Sequence, residues 1–375
     1  MADPRTIKAA RTVNQELQAR AIRHAVDLQK LSNSEVERVL SFLNGTTIPQ
    51  VRGRLAVLLA ELEASGPLGT PTISAALESQ LREFEAITAS AGRRIAEDET
   101  QRLLRIGRLE LDFQGDTLRT SIPQSLQSQF SNVFQFTTPP IQTISRIVDA
   151  APILGQPRRE WWEKTAAGWS TDIQRTVRSG IVEGRGTSEI IRDVMGSRAA
   201  PLDRSVARTM RRQTEAQVRT DINNTVTQAR EAFYAENDDL IAGVIWVSTL
   251  DGGTTPICRS LDGKFFEVGK GQRPPAHYNC RSTTAPVTKS LKELGIGADD
   301  TRGLPDGVRA SMGGDVPAKT TYYEWLSGQS KAVQDEVLGP RRAALWRDGR
   351  VKAEDFTDDR GRQLTLAELE ARVRR

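Results

Sequence analysis

Between Thr72 and Phe113 the apolar residues Leu77, Leu81, Phe84, Ile87, Ile95, Leu103, Ile106 and Leu109 recur at steps of three, four or eight. That is the period of one helical face. A stripe of roughly forty residues is too long for an ordinary globular helix and predicts a protruding antiparallel hairpin or bundle. The residues before it repeat the pattern. Val13, Leu17, Ala21, Ala25, Leu28 and Leu31 mark one helix. Ser32-Asn33-Ser34-Glu35 is a capping-box signature for a second, carrying Val36, Leu40 and Leu43 and stopping at Asn44-Gly45. Pro49 opens a third with Val51, Leu55, Leu58, Leu59 and Leu62, ended by Gly66-Pro67. The leucines are expected to pack within the bundle. By its neighbours, His24 reads as an ordinary exposed-helix residue.

Residues 114–157 read as a connector, rich in Gln, Ser and Thr and punctuated by Thr138-Pro139-Pro140 and Pro152. Helices then resume. Trp162, Ala166, Trp169, Ile173, Val177 and Ile181 form one stripe, broken at Gly184 and Gly186. Thr187 or Ser188 caps a short helix with Ile190, Ile191 and Val194, closed by Gly196. A long helix follows to about Glu236, with Arg204, Arg208, Arg211, Arg212 and Arg219 on its exposed side. Such a row is usually a solvated face, with phosphate contact as the runner-up. Gly243 to Val247 is the first convincing strand, and Leu261-Asp262-Gly263-Lys264-Phe265-Phe266 reads as a hairpin with an Asp-Gly turn. Gly- and Asp-rich loops precede a small helical unit that starts near Tyr322 and ends on a helix capped by Thr365 with Glu368.

The predicted fold is therefore mainly α with a small β hairpin unit (α+β). Its parts are an elongated N-terminal helical arm (1–135), a connector (136–156), a central helical domain with a β module (157–290), a linker (291–319) and a C-terminal helical unit (320–375). An apolar fraction of 38% with 5% aromatic residues is low for one compact globule and suits a chain that buries surface against partners. No run of 18 apolar residues is present, so no membrane-spanning segment is expected. Net charge is only +4, carried by 42 Arg and 10 Lys against 48 acidic residues. The cations are scattered, which points to a solvated surface more than to a nucleic-acid patch.

The chain has two cysteines and two histidines. Cys258, His277 and Cys280 stand in the order C-x18-H-x2-C. A short H-x2-C turn aims two donors at one ion, and a hairpin can return the distant cysteine. Zinc wants four donors. Asp251 or Asp262 can supply an oxygen, or water can complete the shell. The same residues also suit a disulfide, or unliganded thiols beside a structural histidine.

Trp246, Leu250-Asp251, Thr255, Cys258, Leu261-Asp262-Gly263 and Pro275-Ala276-His277-Tyr278-Asn279-Cys280-Arg281 resemble the signature of the phage Mu F-like minor head protein family, the head morphogenesis domain of tailed bacteriophages. Arg219-Thr220-Asp221 resembles the family's Arg-Thr-Glu, with Asp in place of Glu. Gly184-x-Gly186-x-Ser188 resembles its glycine-containing helix entry, and Ser282 stands where many relatives carry another Cys. The resemblance covers about residues 150–290, and Tyr322 to Leu369 looks like a tail unit that accompanies the domain. It implies a minor capsid component assembled in the bacterial cytoplasm and carried in the virion head in several copies. The portal and major capsid proteins would be its partners, with packaged DNA a further one. Trp246, Asp262, Gly263, Arg281, Arg219 and Asp221 would be structural positions, with Cys258, His277 and Cys280 a staple rather than catalysts. Two other readings stand beside it. One is an enzyme or toxin-like transferase or hydrolase, against which no P-loop, HExxH or Ser-His-Asp order is found. The other is a DNA-binding packaging protein using Arg204, Arg208, Arg211 and Arg212.

Overall fold

In a computed structural model, residues 4–64, 75–122, 124–129, 135–197, 204–289, 293–295, 308–317, 319–358 and 361–373 are described. The helices are α1 (Pro4–Phe42), α2 (Ile48–Ala64), α3 (Ala75–Ser121), α4 (Gln124–Gln129), α5 (Ile141–Ala150), α6 (Arg158–Val182), α7 (Thr187–Met195) and α8 (Val206–Ala235). Strand β1 (Ile241–Val247), helix α9 (Pro256–Leu261) and strands β2 (Phe265–Glu267), β3 (Thr283–Thr288), β4 (Val308–Ser311) and β5 (Gly314–Pro317) follow. Helices α10 (Tyr322–Ser327), α11 (Lys331–Leu338), α12 (Pro340–Arg347) and α13 (Leu366–Val373) close the chain. This is the expected class, mostly helix with two small antiparallel sheets. The Gly66-Pro67 terminator and the side chain of Val13 lie outside the described residues.

Three local expectations need correction. The capping box at Ser32 starts nothing, because α1 runs unbroken to Phe42. Glu35 does not reach back to the backbone. It accepts from Arg38 Nε at 2.9 Å and Arg102 Nη1 at 3.0 Å, so tertiary ion pairing outweighs the local cap. Asn44-Gly45 does not stop a helix either. It sits in a π-turn, Leu43–Thr47, that leads directly into α2 with Pro49 in its first turn. The connector 114–157 is partly helical: α3 continues to Ser121 and α5 occupies Ile141–Ala150, so polar composition alone was a poor guide to loop.

The chain forms two compact units drawn from non-consecutive stretches. One comprises Lys30–Ile106 and Ser145–Ile222. Here α6 buries Trp162, Trp169, Ile173 and Val177, as its stripe predicts. Gly180 of α6 is the contact point for α7, since a Cβ there would stand 2.5 Å from Ile190 Cγ1. Helix α7 is capped by Gly186 rather than by Thr187 or Ser188, and at its other end by Gly196, whose φ of 85° suits glycine. This unit buries charge at Glu99, Arg158 and Asp221. Arg158 donates to the Ala96 carbonyl at 2.9 Å and lies 4.0 Å from Asp221, while Arg38 donates to Glu99 at 2.8 Å.

The other unit comprises Met1–Gln29, Gly107–Ile144 and Asn223–Arg375. Its three-stranded sheet has the order β2-β1-β3, all antiparallel. The outer edge of β3 is occupied by side chains. Asn14 accepts from the Thr288 N–H at 3.1 Å, and Arg230 donates to the Thr284 carbonyl at 3.1 Å. Arg230 is fully buried and also donates to Glu110 at 2.8 Å, which in turn meets His24 Nε2 at 2.7 Å. His24 stacks on Phe113 at 3.6 Å. It is thus not an ordinary exposed-helix residue, because its partners lie some ninety positions away where its immediate neighbours give no sign of them. These contacts hold the Glu110 carboxyl down at about 2, against the full desolvation of the site. A C-terminal cluster of Leu250, Tyr322, Trp325, Leu326, Phe356 and Leu364 completes the unit. Its last helix carries the predicted cap, with Thr365 and Glu368 bonded reciprocally.

Gly243 of β1 lies opposite Glu267 of β2 and Val287 of β3. A Cβ there would fall inside van der Waals distance of the Phe266 carbonyl and within 2.6 Å of the Phe265 ring. Gly243→Ala is expected to lower stability by about 1–3 kcal/mol, measured by urea unfolding. No loss would mean that β2 can move away without cost.

Candidate metal centre

The centre is built where β1 leaves the sheet and the chain returns to β3. Trp246 is fully buried and packs with Cys258, Leu261 and Cys280. Its indole donates to Ser248 Oγ at 2.9 Å, and Ser248 Oγ donates to the Cys258 carbonyl at 2.8 Å. Helix α9, opened by Pro256 just after Thr255, carries Cys258 inward. Asn223 of α8 donates to the carbonyls of Cys280 at 2.7 Å and Ser282 at 3.3 Å, fixing the returning strand. Asn279, at φ 59°, takes the left-handed turn between the histidine and the second cysteine.

Cys258, His277 and Cys280 present their donor atoms within 4.8 Å of one another. Cys258 Sγ lies 3.2 Å from His277 Nε2 and 3.7 Å from Cys280 Sγ. Both thiols are buried and unbridged. Two Zn–S bonds of about 2.3 Å at a tetrahedral angle place their sulfurs roughly 3.8 Å apart, so the observed sulfur separation fits a shared ion. The histidine is prepared in the same sense. Its Nδ1 lies 2.7 Å from the Tyr278 carbonyl, which only accepts. In the neutral ring Nδ1 therefore holds the proton and Nε2 offers a lone pair toward Cys258, the usual outer support of a metal-binding imidazole. Hydrogen bonding from Cys258, helped by His277, holds the Cys280 thiol down at about 4, whereas that contact and burial push the Cys258 thiol up. The pair thus shares a thiolate, and hydrogen bonding to Cys280 raises the His277 pKa. An ion bound here would tie α9, the His-Cys turn and the start of β3 together.

Asp251 stands outside this group. Arg281 grips it with two bonds, 2.6 Å from Nη1 and 2.8 Å from Nη2, and the Gly253 N–H donates to it at 3.0 Å. Asp262 also faces elsewhere. It accepts from the Ser248 N–H at 2.7 Å, the Tyr322 N–H at 2.8 Å and both Nη atoms of Arg309. Gly263, at φ 78°, makes the turn that the Asp-Gly pair predicts, but the arm before it is α9 rather than a strand.

The other singled-out residues lie in the helical unit. Asp221 is buried, with burial raising its pKa and the Arg158 charge opposing that rise. Arg219 donates to Glu215 at 3.0 Å and to Asn33 at 2.5 Å, and Arg211 donates to Asn44 at 2.7 Å. Arg204, Arg208 and Arg212 are exposed, and their side chains have no ion pair among the described residues. The sequence reading missed Glu110, Arg230, Ser248 and Arg309. Each is an ordinary polar residue whose partners are brought to it only by the fold.

A helix-and-sheet module pinned by a buried Cys-His-Cys group is thus the class of domain that this geometry defines. Residues 171–285 match the family described as Phage Mu protein F like protein, which supports a phage Mu F-like head protein domain over that stretch. The matched span holds Asp221, Trp246, Cys258, His277, Cys280 and Arg281. No curated protein and no solved structure matches the chain. Among the described residues no helix is long and apolar enough to cross a membrane.

Proposed function

We propose that the protein is a minor head component of a tailed bacteriophage, associated with the portal vertex and acting in head assembly, DNA packaging or DNA delivery. The observation that carries this reading is the Mu F-like match over residues 171–285. The domain extends in our reading over 157–290, flanked by an N-terminal arm and a small C-terminal unit. Portal and major capsid proteins are the partners, several copies enter each virion, and no substrate is turned over. The protein should co-sediment with procapsids and with purified portal. Absence from both procapsids and finished particles overturns the reading.

Zinc is the ion we propose for Cys258, His277 and Cys280, with a structural role. Elemental analysis of the purified protein should give close to one zinc per chain, lost in Cys280→Ser. Chelation should lower stability by several kcal/mol. Metal-free protein of unchanged stability counts against the staple. The exposed Arg204, Arg208 and Arg212 favour DNA contact as a second reading. That reading requires binding that weakens steeply with salt, each phosphate contact adding about 0.9 to the log–log slope.

A further inference from the structure

The centre has three protein donors, and the geometry points to a fourth position filled from outside the fold, by one exchangeable solvent molecule held by the Thr255 hydroxyl. This rests on the zinc reading above and goes beyond it, since a structural zinc is ordinarily closed by four side chains. The group of His, Cys and carboxylate donors that gathers here among the described residues stops at three. The nearby acid Asp251 is committed to Arg281 by two bonds. A cavity of about 20 Å³ opens beside the cluster, lined by Cys258, His277, Thr255, Asn279, Arg281 and Ser282. One water needs roughly 10–15 Å³ of such space and two or more polar partners, and this lining supplies them.

Thr255 is placed to hold that molecule. Its Oγ1 lies 2.8 Å from His277 Nε2, on the donor side of the ring. It precedes α9, yet its side chain makes no capping bond, so the hydroxyl is not spent on the helix. Without an ion the hydroxyl donates to the imidazole lone pair. An ion bound at Nε2 would release that hydrogen bond and leave the Thr255 hydroxyl free to hold the solvent ligand. Ligand exchange then needs no change in the protein donors. The solvent molecule leaves as an incoming nitrogen donor binds.

The test uses the full chain stripped of metal and loaded with Co(II), whose visible d–d bands report the donor set, with imidazole as the probe. The expected result is a saturable shift of those bands while the sulfur-to-cobalt charge-transfer absorption stays. In Thr255→Val, which keeps the side-chain shape, cobalt should still bind. The imidazole concentration at half-saturation should then fall several-fold, because solvent has lost its holder. A cobalt spectrum indifferent to imidazole overturns the open position and leaves the metal centre standing. An identical half-saturation in Thr255→Val overturns the role of Thr255. Failure to take up cobalt at all overturns the centre itself and the inference with it.

Discussion

Replacing Asp262 by Ala is expected to destabilise the protein by about 3–5 kcal/mol, among the largest effects of any single change here. Its carboxylate is fully buried and its partner Arg309 nearly so. Arg309 Nη1 donates to Asp262 at 2.9 Å and to the Thr320 carbonyl at 2.8 Å, while Nη2 donates to Asp262 at 2.6 Å and to the Ser248 carbonyl. Two backbone N–H groups, of Ser248 and Tyr322, complete the set. Truncation therefore strands a guanidinium in the interior and two amide donors with it. The double variant Asp262→Ala, Arg309→Met should recover much of the loss, because the unpaired charge goes too. Urea unfolding measures all three. A single-variant loss below about 1 kcal/mol, or a double variant as unstable as the sum of its parts, would contradict the buried-pair account.

The second large effect is a loss of stability with rising pH, set by Asp221 and Glu99. Burial raises the Asp221 carboxyl from 3.8 to about 7, with Arg158 opposing. Burial, and then the Asp221 charge, raises Glu99 from 4.5 to about 8, with Arg38 and Arg158 opposing and Glu35 adding. A folded state that holds protons the unfolded chain releases is favoured at low pH. The contribution is complete below the ordinary carboxylate range, declines as pH rises from there, and is gone above about 7 to 8. For Asp221 alone the change is on the order of 4 kcal/mol, since each tenfold change in proton affinity is worth about 1.4 kcal/mol. Asp221→Asn should flatten the profile and stabilise the protein on the alkaline side. Unfolding midpoints across that range decide the matter, and a profile that rises with pH in the wild type refutes it. In the opposite sense, Glu110 sits near 2, so its stabilisation is present above the ordinary value of 4.5 and disappears only toward strong acid.

Much of the fold was legible because the long helices announce themselves by period. The stripes at Leu81 to Leu103 and Trp162 to Val177 bury as read. The Cys-His-Cys group was legible for a different reason, since soft donors are rare in this chain and their spacing is short. What could not be read is long-range pairing among common residues. Ser32 and Glu35 look like a cap until Arg102 is brought alongside, and His24 looks solvated until Glu110 and Phe113 are. Asp251 and Asp262 were equal candidates for an oxygen ligand on spacing. Arg281 and Arg309 decide otherwise, and neither arginine differs by local sequence from the forty others.

The stretch that can be recognised and the stretch that can fold are different objects in this chain. Residues 171–285 match the family, yet Arg230 within them needs Glu110, Thr288 just beyond them needs Asn14, and Asp262 needs Arg309 and Tyr322. An excised fragment bounded by the match would carry Arg230 and Asp262 as interior charges without their partners Glu110 and Arg309, and would cut β3 short. The stretch that matches the family is not one that thermodynamics treats as a unit. A gene fusion or truncation that respects the boundary of the match would cut through the stretch that folds.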